Sequence, residues 1–403
     1  MKYFIRLAVF QMFLCFNNFT FAQNWSQSDN FPGTARDDGS SFKIGDKVYC
    51  GTGLQVGWSC TNDFYAFDLP SETWSPTASL PSNMERQYAY GCAVLNKGYI
   101  FGGANDAGNY LNDLWEYNPS TNAWIQKAPL PANGRSGGMT FVVNDKMYVV
   151  GGKTFGFNAL DETWRYDPIL NSWTRMADFP LNGTWRGVAF SYNNLGYVGL
   201  GKDNAGIYNT MMYSYDPLLD SWTLVPSFTT NSRTYTGAAQ IGQFAYLFGG
   251  VDNSGTITTT FEKIDLSDFS TVVMNPFSNT PRKGCMAFAS ADAFYITTGV
   301  STAMRFNETW KADYILALDE SNKQEINLVY PNPNTGNFTL TLELEGVFDL
   351  KIVDIAGKVI LSQEQIKVTN PFVIELPTVN AGIYFLTITN GKQTWNQKIV
   401  LEK

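Results

Sequence analysis

The sequence predicts an all-β protein, a six-bladed β-propeller followed by a small Ig-like β-sandwich, on three observations. Arginine recurs at positions 36, 86, 135, 186, 233 and 282, in steps of 50, 49, 51, 47 and 49 residues. Aromatic residues make up 15% of the chain, with 35 glycines, a mixture that favours short strands and tight turns over helices. Beyond Tyr314 the period stops, and apolar and polar residues alternate instead, as in strands with one buried face.

The 403 residues begin with an export signal. Lys2 and Arg6 give a positive front end, Leu7 to Phe21 is mostly apolar, and Thr20-Phe21-Ala22 ends on a small residue before Gln23. That order describes a signal peptide over residues 1–22, cleaved between Ala22 and Gln23. Its apolar part is short for a bilayer span, and no membrane span is expected after its removal. The net charge of −8 argues against nucleic acid as a partner. The chain has no histidine, which excludes histidine-based triads, Cys-His dyads and histidine-ligated zinc, copper or haem.

Within each period a tyrosine follows the arginine by thirteen residues, at Tyr49, Tyr99, Tyr148, Tyr246 and Tyr295, but by eleven at Tyr197. Glycine pairs come next, as at Gly102-Gly103, Gly151-Gly152 and Gly249-Gly250, with degenerate copies at Gly51 and Gly53, Gly199 and Gly201, and Gly299. An acidic-aromatic segment follows; Asn112 to Pro119 matches Asp161 to Pro168. A tryptophan closes the unit at Trp74, Trp124, Trp173 and Trp222, with Phe269 in the fifth. Each unit reads as four strands. In the third they fall near 138–143, 147–150, 163–166 and 172–175, with Asn144-Asp145 as the first tight turn. Four-stranded units at this period mean a propeller, each sheet burying both faces against its neighbours.

Ring closure is also readable. The sixth unit has no closing tryptophan, whereas Trp25 precedes Trp74 by 49 residues, one period. The N-terminal segment is therefore expected to supply the outer strand of the last blade, removing an open sheet edge.

Residues 316–325 are a polar linker. Residues 326–403 carry strand patterns at 338–342, 350–353, 372–374 and 383–388, with turns at Ala356-Gly357-Lys358 and Asn390-Gly391, a small sandwich. Its distinctive strings are Tyr330-Pro331-Asn332-Pro333 with Gly336 and Phe338, then Asp354 to Lys358, Ala381-Gly382-Ile383-Tyr384, and the end Lys398 to Lys403.

The paired glycines, spaced tyrosines and tryptophans resemble the kelch-repeat family, over residues 23–315. The C-terminal strings look like the sorting domain of type IX secretion cargo from Bacteroidota. That resemblance implies a partner in the type IX secretion machinery and a protein secreted or attached to the outer-membrane surface.

For chemistry, the repeat places Arg36, Arg86, Arg135, Arg186, Arg233 and Arg282 before the innermost strands, in a ring near one channel mouth. Such a ring suits an acidic glycan or peptide; the alternative is that each arginine ties down loop carbonyls and acids such as Asp37, Asp38 and Glu85. Cys50 and Cys60 are close enough to form a disulfide across a strand-loop-strand unit, or to lie buried as small thiols. The loops at Asn105, Asp203 and Asp252 lack the spaced carboxylates of a calcium site and read as turns. No metal, cofactor, phosphate loop or nucleophile elbow is implied. The expected function is an exported binding or adhesion propeller recognising a glycan or protein at its mouth. Kelch relatives of the sialic-acid mutarotase (epimerase) type supply the enzymatic alternative.

Overall fold

The computed structural model describes residues 25–313 apart from 227 and 229, and 329–402 apart from 341–345, 355–357, 369–371, 377–378 and 390–393. The signal segment with its Ala22–Gln23 junction, the linker at 316–325, and the turns at Ala356-Gly357 and Asn390-Gly391 lie outside the described residues. The chain divides into two compact units, Met1–Ile315 and Leu316–Lys403.

The first unit holds six four-stranded antiparallel sheets. Their innermost strands are Ser40–Ile44, Tyr90–Val94, Met139–Val143, Val188–Tyr192, Gly237–Ile241 and Met286–Ala289. Each meets the next, and the last meets the first, so the sheets form a closed ring of blades. Apolar clusters lie between blades rather than within them. Tyr90, Phe101 and Leu114 of the second blade, for example, pack with Met147, Val149 and Tyr166 of the third. This is why the middle strands, such as Lys146–Val150, are apolar almost throughout: both of their faces are buried.

Five blades run from innermost to outermost strand in chain order. The sixth takes its outermost strand from the other end of the unit: Trp25–Ser28 pairs antiparallel with Thr309–Asp313, Trp25 opposite Ala312 and Ser28 opposite Thr309. The Trp25 ring sits among Phe248, Phe261, Phe277 and Phe294, with centroids 4.9–6.3 Å away.

The repeated tryptophans tie neighbouring blades together. The indole N–H of Trp124 donates to the Ala78 carbonyl (2.8 Å), Trp173 to Ala128 (2.9 Å) and Trp222 to Ala177 (3.1 Å), each on the segment leaving the preceding blade. Trp74 donates in the same way to Asp29 (3.0 Å), so the closing segment is held from two sides. In the fifth blade Phe269 has no N–H to give; its ring packs on Tyr197 instead.

The glycine pairs answer to a close approach. Gly102 has φ +63°, and a Cβ there would lie 2.6 Å from the Arg135 carbonyl of the next blade. At the same place in the degenerate copies Thr52, Leu200 and Thr298 take φ of 55°, 59° and 63°, so the backbone shape persists where the glycine is lost.

In the second unit a three-stranded sheet (Val329–Tyr330, Asn337–Leu340, Phe372–Glu375) faces a four-stranded one in the order Val359–Val368, Gly346–Asp354, Gly382–Thr389, Thr394–Leu401. Phe338, Leu340, Leu350, Ile352, Leu386, Ile388 and Ile399 fill the core between them. The Tyr330–Pro333 string has a structural use: Asn332 donates to the Lys398 carbonyl (2.7 Å) and accepts from the Val400 N–H (2.8 Å). Asn334 bonds the backbone of Val400 and Glu402. The string thus clasps the last strand.

Trp25 should be a principal contributor to ring closure. Trp25→Ala is expected to lower unfolding stability by about 3–5 kcal/mol, the usual cost of truncating a packed tryptophan, whereas Gln27→Ala, at an exposed residue of the same strand, should stay within about 0.5 kcal/mol. Denaturant unfolding of the two variants checks this.

Candidate functional site at the propeller mouth

Five of the six repeat arginines are structural. Arg36, Arg86, Arg135, Arg233 and Arg282 each stand four residues before an innermost strand and are at most 1% exposed. Their guanidinium groups bond Asp63 (2.5 Å), Asp113 (2.7 Å), Glu162 (2.6 Å), Glu262 and Glu308 (2.9 Å) respectively. Arg36, Arg86, Arg135 and Arg282 also reach loop carbonyls, as Arg86 does at Met84 and Gly102. The five therefore do not form the exposed mouth ring expected from their spacing, and their acids are not Asp37, Asp38 or Glu85. Each partner stands beside or within the third strand of the same blade. Burial pushes the Asp63, Glu162 and Glu308 carboxyls up, but hydrogen bonds from and charge of the arginines, with indole N–H donors at the two glutamates, outweigh it and hold them below the ordinary range.

The fourth blade breaks the pattern. Thr184, not Arg186, stands four residues before Val188. The acid position before Met212–Asp216 holds Met211. Arginine and acid are lost together, as expected if neither charge can be buried alone. Arg186 lies two residues further on, at the position of Asp38, Tyr88, Gly137, Tyr235 and Gly284 in the other blades. The signal was present in the sequence: eleven residues to Tyr197 instead of thirteen, and steps of 51 and 47 around it.

These six positions surround the channel axis. All have φ between 55° and 65°, a conformation costly for Asp, Tyr and Arg. Backbone bonds link them from blade to blade: Tyr88 N–H to Asp38 O (2.9 Å), Gly137 to Tyr88 (2.9 Å), Arg186 to Gly137 (2.5 Å), Gly284 to Tyr235 (3.1 Å) and Asp38 to Gly284 (2.8 Å). Tyr88 and Tyr235, from opposite blades, meet edge to face at 6.5 Å. The Arg186 guanidinium stacks on Tyr235 (3.4 Å), Tyr88 (4.1 Å) and Trp185 (4.2 Å). The two glycines make room: a Cβ at 137 would touch Arg186 Cγ at 3.3 Å, and one at 284 the Asp38 carboxyl at 2.7 Å.

Above this plug lies a cavity of about 580 Å³, lined by Arg186, Trp185, Tyr88, Tyr110, Lys153 and Phe155 among others. Arg186 Nε and Nη1 are buried with no hydrogen-bond partner among the described residues. The Lys153 ammonium stands 3.7 Å over the Trp185 ring. Exposed Trp58 and Phe155 project from the loops around the mouth (76% and 86% exposed). Asp38, in the blade opposite Arg186, is buried. Desolvation pushes its carboxyl up to about 8, against the lowering effect of Arg186, with Asp37 adding to the rise. Asp37 itself is paired with Arg305 (2.5 Å). The repeat offered Arg186 only as one of six equivalent arginines; its distinct place, and the axial plug, were not legible from the repeat alone.

Cys50, Cys60, Cys92 and Cys285 are free thiols, so the Cys50–Cys60 pair is not bridged. Burial pushes Cys92 and Cys285 up to about 12 and the other two further. The loops at Asn105, Asp203 and Asp252 are turns in which one side-chain oxygen accepts two backbone N–H groups. Among the described residues no cluster of three metal-ligating side chains occurs.

Fold and site define a β-propeller with one plugged, cation-bearing mouth. Residues 9–188 match the KLHDC2/KLHL20/DRC7 Kelch-repeats domain, and residues 328–402 match the Secretion system C-terminal sorting domain. The chain is a kelch-repeat protein with a C-terminal type IX secretion sorting domain. That domain directs it to the cell surface or the medium and engages the type IX machinery. No helix among the described residues is long and apolar enough to cross a membrane.

Similar curated proteins include an N-acetylneuraminate epimerase of Haemophilus influenzae, 36% identical over 131 residues, which are 30% of this chain and 33% of that protein. Another of the same name, from Pasteurella multocida, is 35% identical over 94 residues (22% and 23%). Kelch domain-containing protein 1 of Mus musculus is 37% identical over 84 residues (20% of each). The chain thus spans about a third or less of the length of these relatives. The solved structure titled "Structure of YjhT" shares the fold, with a TM-score of 0.59 at 18% identity, covering 70% of this chain and 96% of that one.

Two outcomes follow for the structural arginines. Arg86→Thr alone should cost about 3–5 kcal/mol by stranding a buried carboxylate. Adding Asp113→Met, which copies the fourth blade, should recover much of that loss in chemical denaturation. Because Asp63, Glu162 and Glu308 titrate lower folded than unfolded, their stabilisation is present above the unfolded values near about 4 and lost as pH falls through the folded ones. Thermal unfolding scans below pH 4.5 should show that decline.

Proposed function

We propose that this is an exported binding propeller whose mouth cavity takes an anionic sugar, with Arg186 meeting the ligand's carboxylate. The observation that carries this is Arg186 itself: a guanidinium lining a cavity and stacked between aromatic rings, whose buried Nε and Nη1 make no hydrogen bond among the described residues. A buried donor without a partner calls for a water, ion or ligand to satisfy it, and a guanidinium suits a carboxylate. The aromatic walls suit the apolar face of a sugar ring. The relatives named N-acetylneuraminate epimerase make N-acetylneuraminate the first probe.

Asp38 supports a second reading, a catalytic one. Its carboxyl, pushed up to about 8 by burial on the same axial ring, suits giving and taking a proton near neutral pH. Anomer interconversion of an acidic sugar needs such a group. Proton NMR of freshly dissolved N-acetylneuraminate, with and without the protein, separates binding from catalysis.

For binding, isothermal titration with N-acetylneuraminate and with neutral N-acetylglucosamine is the test. The wild type should prefer the anion, and Arg186→Met should lose about 10- to 100-fold in affinity, as for one charge-assisted contact. Equal binding of both sugars, or an unchanged Arg186→Met, would refute the reading.

A further inference from the structure

Resting on the anionic-ligand reading above, we propose that Asp38 is a specificity-determining residue of the mouth: it is protonated whenever the anion is bound, drawing that proton from solvent in alkaline medium, so that Arg186 serves the ligand and not the protein's own carboxylate. Asp38 and Arg186 occupy the same ring position in opposite blades. No ion pair within 4.0 Å joins them among the described residues. Tyr88 stands between, stacked on the guanidinium at 4.1 Å and within hydrogen-bonding reach of the Asp38 carboxyl.

The groups facing Asp38 leave it little alternative to carrying the proton. On its own blade Asp37 is a second carboxyl, whose partner is Arg305 of the sixth blade. Also from the sixth blade come the Gly284 backbone and Cys285, a half-buried thiol that desolvation keeps protonated. The second blade offers Tyr88, held neutral by burial beside Asp38. From the fourth blade Arg186 supplies the only attraction for the ionised form among the causes acting on Asp38 besides the Tyr88 hydrogen bond. From the fifth, Tyr235 stacks on Arg186 and carries Lys283 4.8 Å over its ring.

An anion that engages Arg186 withdraws that attraction and adds a repulsion. The carboxyl, already pushed up by burial, is then pushed higher. Binding and protonation are therefore linked: at pH 8 and above the ligand enters with a proton taken from solvent and placed on Asp38. The device selects against neutral sugars, which gain nothing from the released guanidinium. It also weakens the mouth for anions in alkaline medium.

Titration calorimetry on the full chain tests this, with N-acetylneuraminate as probe, since its carboxylate stays ionised from pH 6 to 9.5. At pH 8, comparing two buffers of different ionisation enthalpy should reveal uptake of about half a proton per ligand bound. Affinity should be flat from pH 6 to 7 and fall several-fold between pH 8 and 9.5. In Asp38→Asn the buffer dependence should vanish and the alkaline slope flatten. If that variant does not fold, the wild-type buffer comparison decides. Binding with no proton uptake at pH 8 would overturn the role of Asp38 while leaving the anion site standing. Absence of N-acetylneuraminate binding at every pH would instead remove the anion reading on which it rests.

Discussion

The loops of this propeller depend on the buried arginine–carboxylate pair. In five blades an arginine that is almost wholly inaccessible joins the chain entering the innermost strand to the acid at the third strand 26 to 29 residues later. Such a pair adds little net stability over an apolar replacement, but losing one member is expensive. Its value is positional. The guanidiniums of Arg36, Arg86, Arg135 and Arg282 also gather nearby loop carbonyls or hydroxyls, as Arg36 does at Thr34, Thr52 and Thr61, and the arginine's own carbonyl receives an N–H from the preceding blade, as at Gly103 to Arg135 and Gly250 to Arg282. One side chain therefore fixes two turns and a blade interface.

That constraint explains why the fourth blade differs in two places at once. Thr184 and Met211 replace arginine and acid together, and the blade keeps its four strands. The arginine of that blade stands two residues nearer the innermost strand, on the ring of left-handed residues around the axis. There it has aromatic faces instead of a carboxylate. The break in symmetry puts a cation, two tyrosines and a buried carboxyl in one ring.

The fold class was legible because the cues are local: glycine pairs at a left-handed, crowded turn, tryptophans that reach back one blade, and Trp25 one period before Trp74. The Asn332 clasp on the final strand gives the Tyr330–Pro333 string a physical reason that spacing alone did not supply. The site was less legible. Spacing between arginines tolerates a shift of two residues, so Arg186 passed for a sixth copy although its distance to Tyr197 was short. Nor does any propensity announce that Asp38, Tyr88, Arg186 and Tyr235 hold positive φ, because local preference opposes it and only the ring of backbone bonds enforces it. The partners of the arginines lay too far along the chain to be chosen among several acids.

The central claim is that Arg186, released from the repeat, is the anion receptor of the mouth. A crystal structure of the protein soaked with N-acetylneuraminate tests it most directly. The account predicts the sugar carboxylate within hydrogen-bonding distance of the Arg186 guanidinium, with its ring against the aromatic wall of the cavity. A carboxylate bound elsewhere, with Arg186 still stacked on Tyr88 and Tyr235 and untouched by ligand, would contradict it.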